Sequence, residues 1–231
     1  MNSKWIDIKA SDGGSFKGYL SLPPSGKGPG IVLIQEIWGV NKHIRAVADQ
    51  YAMDGYVVIA PDVFWRMQPM LDLGYGKEDS EKAFGFIKQI DFRKATADMV
   101  STVQALRALP ECTGKVGSVG FCMGGYLSYM SAAYAGVDAA VCYYGGGIHN
   151  QLGEVPKIKC PIMLHYAEKD HFIPMEAVES VKKAFAGSSN ARIDVYPGVD
   201  HGFNCWERPS YDQTSAALAH GRSLAFLATH L

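Results

Sequence analysis

The stretch that decides the fold is Lys115-Val116-Gly117-Ser118-Val119-Gly120-Phe121-Cys122-Met123-Gly124-Gly125. Its apolar first half is typical of a buried strand, and the residues from Gly124 to about Tyr134 predict a helix. The pattern glycine, any residue, cysteine, any residue, glycine at the junction predicts a sharp turn that exposes a nucleophile. Amides at the helix N-terminus favour an anion at Cys122. The alternative is a small buried thiol at an ordinary strand–helix junction.

Two further residues strengthen the catalytic interpretation. Asp170 follows the apolar run 161–167, and His201 follows a predicted strand at 191–196. The chain order nucleophile, acid, histidine is that of the α/β-hydrolase triad. Each residue comes just after a strand, where open α/β sheets bind their ligands. Asp200 is a rival partner for His201, but an adjacent residue rarely reaches back to the ring.

The rest of the chain alternates apolar runs with amphipathic segments. Such alternation predicts a mostly parallel sheet with helices on both faces. Together with the turn at Cys122 and the order of the three residues, it indicates an α/β-hydrolase fold. Residues 5–8 and 16–21 predict an antiparallel hairpin at the N-terminus. Residues 62–89 lack a clear period and predict an excursion over the strand ends. No repeat, linker or low-complexity tract is found, so residues 1–231 are expected to form one domain.

Composition limits the possible function. Hydrophobic residues make up 48% of the chain and the net charge is −1, which favours a soluble enzyme over a nucleic-acid or membrane protein. No signal peptide and no stretch of membrane-spanning length is recognised. The 5 cysteines are scattered and lack metal-site spacing. This pattern favours a cytoplasmic location and argues against both disulfides and a metal site. We expect a monomer that acts on a small molecule.

Five segments together resemble the dienelactone hydrolase family (carboxymethylenebutenolidases), and the resemblance covers nearly the whole chain. They are the stretches at 35–41, 120–125, 143–145, 170–174 and 201–203, which read QEIWGVN, GFCMGG, YYG, DHFIP and HGF.

The resemblance implies that Cys122 is the nucleophile, His201 the base and Asp170 its orienting partner. It also implies that backbone amides of Ile37 and Met123 form the oxyanion hole. Glu36 is the fourth functional residue, whose carboxylate contacts the resting thiol and takes its proton when substrate arrives. A salt bridge or a helix-capping role is the alternative for Glu36.

The chain departs from the family at the residues that bind the carboxylate of the substrate. The family has one arginine four residues after the histidine, where this chain has Cys205, and another in the excursion, where residues 77–81 contain none. Arg208 and Lys77 are the possible substitutes. Arg66, Trp38 and Tyr144 are further candidates for the substrate pocket.

The sequence therefore predicts a cysteine-dependent hydrolase of lactones or esters that needs no metal and no organic cofactor. Two alternatives remain. One is a general carboxylesterase or thioesterase with another substrate. The other belongs to a different class: a redox-sensing protein in which Cys122 reacts with oxidants.

Overall fold

The computed structural model describes residues 2–231, which build one sheet of 8 strands. The strands are β1 Asn2–Lys9, β2 Ser15–Leu22, β3 Gly28–Ile34, β4 Val57–Pro61, β5 Cys112–Phe121, β6 Ala139–Tyr143, β7 Ile162–Ala167 and β8 Ala191–Tyr196. Their order across the sheet is β1-β2-β4-β3-β5-β6-β7-β8. The pairs β1–β2 and β2–β4 are antiparallel and all the others are parallel. The predicted N-terminal hairpin and mostly parallel sheet are therefore confirmed.

Helices connect the parallel strands. They are α1 Lys42–Met53, α2 Lys77–Ile87, α3 Phe92–Arg107, α4 Met123–Tyr134, α5 Met175–Phe185 and α6 Gln213–His230, with short 3₁₀ turns at Ile148–Asn150 and Leu152–Lys157. Side chains cap three of these helices: Asn41 caps α1, Asp91 caps α3 and Asp212 caps α6. Each cap satisfies amides that have no partner inside the helix. Within residues 2–231, no helix has both the length and the apolar character needed to cross a membrane.

The helices cover both faces of the sheet. A β-carbon on Gly30 would contact Val116 and Leu106 of α3, whereas a β-carbon on Gly117 would contact Leu227 of α6. Because neighbouring residues of a strand point to opposite faces, α3 and α6 lie on opposite sides of the sheet. The central strands are consequently buried on both faces, which explains their continuous apolar sequence.

The predicted excursion contains a loop and one helix, α2. Buried Asp62 holds the start of the loop, because its carboxylate accepts hydrogen bonds from the amides of Phe64 (3.1 Å) and Met70 (2.6 Å). Burial raises the pKa of Asp62 to about 6. Along α2 only Ala83 is buried. This helix therefore lies over the molecule with little of its surface in the core.

Candidate active site

The turn between β5 and α4 holds Cys122 in a strained conformation. Its φ is 56° and its ψ is −115°, which non-glycine residues rarely adopt. A β-carbon on Gly120 would overlap the carbonyl of Gly124, and one on Gly124 would overlap the carbonyl of Ile34. The amide of Cys122 donates to the carbonyl of Tyr143 at 3.0 Å, which fixes the turn to the end of β6. The half-buried thiol thus stands at the N-terminus of α4.

Asp170 and His201 meet at the ends of β7 and β8. The Oδ2 atom of Asp170 lies 2.7 Å from Nδ1 of His201, and both side chains are buried. The other carboxylate oxygen accepts hydrogen bonds from the amides of Phe172 (2.9 Å) and Ile173 (3.1 Å). All carboxylate contacts of Asp170 therefore fix its orientation toward the histidine ring.

The rival carboxylate, Asp200, has other partners. Its Oδ1 accepts a hydrogen bond from the backbone amide of His201 at 2.6 Å and lies 2.9 Å from Nδ1 of His171. The ring of His201 takes its partner from Asp170 instead. Asp170, and not Asp200, is thus the carboxylate bonded to the ring of His201.

The ring of His201 has one bonded nitrogen and one free nitrogen. Its Nε2 is buried and has no hydrogen-bond partner among residues 2–231. Burial disfavours the charged ring, but the charge of the Cys122 sulfur and the contact with Asp170 outweigh burial and raise the pKa of His201 to about 10. The surroundings of His201 therefore favour the protonated form of its ring.

Cys122 and His201 line one cavity of about 480 Å³, a size typical of small-molecule sites. The cavity wall is mostly apolar and contains many aromatic rings: its lining residues are Ile37, Trp38, Tyr75, Ser80, Phe84, Ile87, Phe92, Cys122, Met123, Tyr126, Gly146, His171, Phe172, His201, Arg208 and Pro209. Ile37 and Met123, whose amides were predicted to form an oxyanion hole, both lie in this wall. Neither amide donates a hydrogen bond within the described chain, so both are free for a ligand.

Glu36 forms a salt bridge, which the sequence analysis gave as an alternative for this residue without naming a partner. Its Oε1 accepts a hydrogen bond from Arg208 Nη1 at 3.0 Å, and its Oε2 accepts one from the hydroxyl of Tyr75 at 3.2 Å. No hydrogen bond joins Glu36 to Cys122 in residues 2–231. The carboxylate of Glu36 is instead hydrogen-bonded to Arg208 and Tyr75.

Two of the five candidate pocket residues, Trp38 and Arg208, line the cavity, and Lys77 is not in its wall. Trp38 donates its indole N–H to Ser80 at 3.3 Å, and the guanidinium of Arg208 lies 5.0 Å from the Trp38 ring centroid. Arg208 also packs against Gly202, where a β-carbon would overlap the guanidinium. Arg208 thus reaches the site from beyond Cys205, where the resemblance led us to expect an arginine.

The other two predictions are corrected. Arg66 points away from the cavity, because its guanidinium binds buried Asp98 at 2.8 Å and Asp12 at 2.6 Å. Tyr144 is fully buried beneath the site and packs against the His201 ring with a centroid distance of 5.0 Å. It supports the histidine and does not form part of the cavity wall.

Several cavity residues were missed at the sequence level. Phe172 lies in the quoted segment beside Asp170, and Phe84 lies in the excursion, so proximity to the motifs was the available signal. Tyr75 also lies in the excursion and Tyr126 directly follows the segment 120–125, so the same signal was available for both. Residues 2–231 contain no group of three His, Cys, Asp or Glu side chains arranged to bind a metal ion.

Comparison with known proteins agrees with this architecture. The model of the dienelactone hydrolase family matches residues 16–231. A carboxymethylenebutenolidase of Pseudomonas putida is 33% identical over 229 residues, covering 99% of this chain and 97% of the relative. A carboxymethylenebutenolidase of Cupriavidus pinatubonensis is 32% identical over 229 residues, with the same coverage.

Solved structures lead to the same group. A candidate dienelactone hydrolase from Klebsiella pneumoniae superimposes with a TM-score of 0.85 at 27% identity, covering 98% of both chains. The dienelactone hydrolase from Anabaena variabilis has a TM-score of 0.73 at 16% identity over 100% of this chain and 98% of its own, which concerns the fold alone. The sequence and structural relatives together show that this chain belongs to the dienelactone hydrolase family and is a hydrolase acting on ester bonds.

Proposed function

We propose that the chain is a cysteine-dependent hydrolase of esters and lactones in which Cys122 is the nucleophile. The observation that carries the proposal is the strained Cys122 at the N-terminus of α4, in one cavity with a His201 ring held by Asp170. A helix N-terminus and a neighbouring imidazolium both favour the thiolate, which is the reactive form of cysteine.

In the proposed reaction, the substrate carbonyl oxygen binds the amides of Ile37 and Met123, and the Cys122 sulfur attacks the carbonyl carbon. His201 gives its Nε2 proton to the leaving oxygen as the carbon–oxygen bond breaks. Water then attacks the thioester, His201 accepts a proton from that water, and the carboxylic acid product leaves. These steps use only protein side chains, substrate and water, so we expect no cofactor.

In this mechanism, the role of Glu36 differs from the direct transfer of the thiol proton that the family resemblance implies. Its ion pair with Arg208 is almost buried, with 1% and 15% of the two side chains exposed. We propose that Glu36 holds Arg208 at the cavity wall and influences the thiolate through that positive charge. Arg208 is then the side chain that an anionic substrate would contact, through a guanidinium whose charge Glu36 already compensates.

The test is a substrate panel of enol lactones, p-nitrophenyl esters and thioesters. Cys122→Ala should lower turnover by about 10³-fold or more, as loss of a nucleophile does in comparable triads. Cys160→Ala is the matched control, because that half-buried thiol lies outside the cavity and burial raises its pKa to about 11. A Cys122→Ala enzyme that retains a tenth of the wild-type rate contradicts the proposal.

A second candidate is a general carboxylesterase or thioesterase. The apolar lining of the cavity favours it, since most of the wall offers no partner to a charged substrate. The same panel separates the two, because the lactone preference expected of a dienelactone hydrolase would be absent.

We propose a monomer located in the cytoplasm, where scattered free thiols persist. Sedimentation and cell fractionation test these two points. The redox alternative predicts rapid oxidation of Cys122 by peroxide and no hydrolysis by the wild-type enzyme.

A further inference from the structure

An aromatic slot lies beside the proposed base. The ring of Phe172 stands edge-on to the His201 ring, with centroids 5.0 Å apart and an interplanar angle of 79°. Phe84 of α2 faces Phe172 at 6.5 Å. Phe84 is 41% exposed and Phe172 is 49% exposed, although both residues line the cavity. We define Phe84 and Phe172 as the aromatic slot, and we propose that it binds the aromatic leaving group of an uncharged aryl ester. The inference rests on the proposed function and specifies its substrate class.

The position of the slot follows from the reaction geometry. With the carbonyl oxygen at Ile37 and Met123, the leaving oxygen must lie near Nε2 of His201 to receive its proton. The group attached to that oxygen therefore extends past the histidine ring. Two aromatic rings, Tyr144 and Phe172, lie 5.0 Å from that ring, and Phe172 is the one that lines the cavity. A flat ring can stack there on two partly exposed aromatic faces.

The chemistry of a cysteine nucleophile favours the same substrates. The tetrahedral intermediate can expel either the thiolate or the leaving oxygen, and the more stable anion leaves more readily. A thiol has a pKa of about 8.5 and a phenol about 10, whereas water lies near 15.7 and simple alcohols are similarly weak acids. Phenolate therefore competes with the thiolate where an alkoxide does not.

The charge of the cavity favours an uncharged ester. Among residues 2–231, Arg208 is the only Lys or Arg in the wall, and Glu36 compensates its charge at 3.0 Å. On the side of α2 the wall presents Ser80, whose hydroxyl accepts a hydrogen bond from Trp38. A carboxylated substrate would thus meet one cation that is already paired.

For phenyl acetate, a bond forms between the Cys122 sulfur and the acetyl carbon, and the bond from that carbon to the phenolic oxygen breaks. The phenolic oxygen leaves with the electron pair and takes the proton from His201, which yields phenol and an acetyl thioester. Water then cleaves the thioester to acetate and restores the thiolate and the imidazolium, with release of one proton.

The experiment compares kcat/KM for phenyl acetate and for trifluoroethyl acetate, which also has an acidified leaving group but no ring. Both esters give the same acetyl-enzyme, so the comparison isolates the leaving group. Phe172→Leu keeps an apolar side chain without the ring, and we expect a decrease of roughly 3- to 10-fold for phenyl acetate. The decrease for trifluoroethyl acetate should stay below roughly 2-fold. Phe172→Tyr should restore the phenyl preference.

The surface variant Tyr134→Ala is the control, because this exposed ring lies outside the cavity, and both esters should react as in the wild type. Equal losses for both esters in Phe172→Leu would overturn the slot, since Phe172 would then only support the histidine. A wild-type preference for a carboxylated enol lactone over phenyl acetate would overturn it as well. If hydrolysis of every ester survives Cys122→Ala, the proposed function itself fails; if it depends on Cys122 without discrimination between leaving groups, only the slot fails.

Discussion

Replacement of Asp170 by Asn tests how the site sets the tautomer of His201. The carboxylate has three donors around it: His201 Nδ1 at 2.7 Å, and the amides of Phe172 at 2.9 Å and Ile173 at 3.1 Å. An asparagine must place its oxygen toward the two amides, because the reverse orientation leaves two buried N–H groups unsatisfied at about 1–3 kcal/mol each. The amide nitrogen then donates to Nδ1, and the ring proton moves to Nε2.

A neutral ring protonated at Nε2 cannot accept the thiol proton. We therefore expect Asp170→Asn to lower kcat/KM by about 10³- to 10⁴-fold, the scale seen when a triad histidine is held in the wrong tautomer. The two backbone hydrogen bonds survive, so the free energy of unfolding should fall by no more than about 2 kcal/mol. The measurements are kcat/KM for a p-nitrophenyl ester and urea unfolding on the same preparations.

Asp200→Asn is the matched control. It makes the same chemical change one residue before His201, but the altered carboxylate faces His171 and is 43% exposed. We expect less than about a 3-fold loss of activity. Asp200→Asn as the more damaging variant would refute the assignment of the orienting carboxylate, and an active Asp170→Asn enzyme would refute the tautomer argument.

Three further predictions concern charge and position. Cys122 and Asp170 raise the pKa of His201 to about 10. Hydrolysis of esters with poor leaving groups should therefore fall as the pH rises through that value. A fall that begins near pH 7 would contradict the proposed protonation of His201. Glu36→Gln should raise the rate of Cys122 alkylation by iodoacetamide and lower turnover, because Arg208 is left uncompensated near the thiolate; an unchanged alkylation rate would exclude this electrostatic link. Gly202→Ala should displace Arg208 and lower binding of anionic substrates by roughly 10-fold, whereas Gly198→Ala places the same side chain at a similarly positive φ (74° against 80°) in open space and should affect stability alone.

The fold was predictable because its determinants are local. Continuous apolar runs mark strands buried on both faces, and the glycines around Cys122 mark a turn that leaves no room for side chains. The order of Cys122, Asp170 and His201 was informative because parallel strands deliver their following residues to one edge of the sheet. The contact between Asp170 and His201 was therefore expected before any distance was measured.

The predictions that differ from the structure concern residues in or paired with segments that have no periodic sequence pattern. Glu36 pairs with Arg208, which reaches the site through the irregular segment after β8, and nothing in the local sequence reveals that path. Arg66 begins an excursion whose direction is set by distant Asp98, so its orientation was not encoded nearby. Tyr144 is part of the quoted segment 143–145, yet its backbone φ of 37° helps to place the ring below the site.

Helix α2 has few buried residues, and this separates substrate selection from the proposed catalytic residues. Cys122, Asp170 and His201 are buried or half-buried residues that follow strands β5, β7 and β8, whereas Ala83 is the only buried residue of the helix that carries Phe84. Substitutions at exposed helix positions usually change the free energy of unfolding by less than about 0.5 kcal/mol. Substitutions in this helix can therefore alter substrate preference while the three proposed catalytic residues stay unchanged. Directed evolution of this enzyme should begin with a library confined to α2.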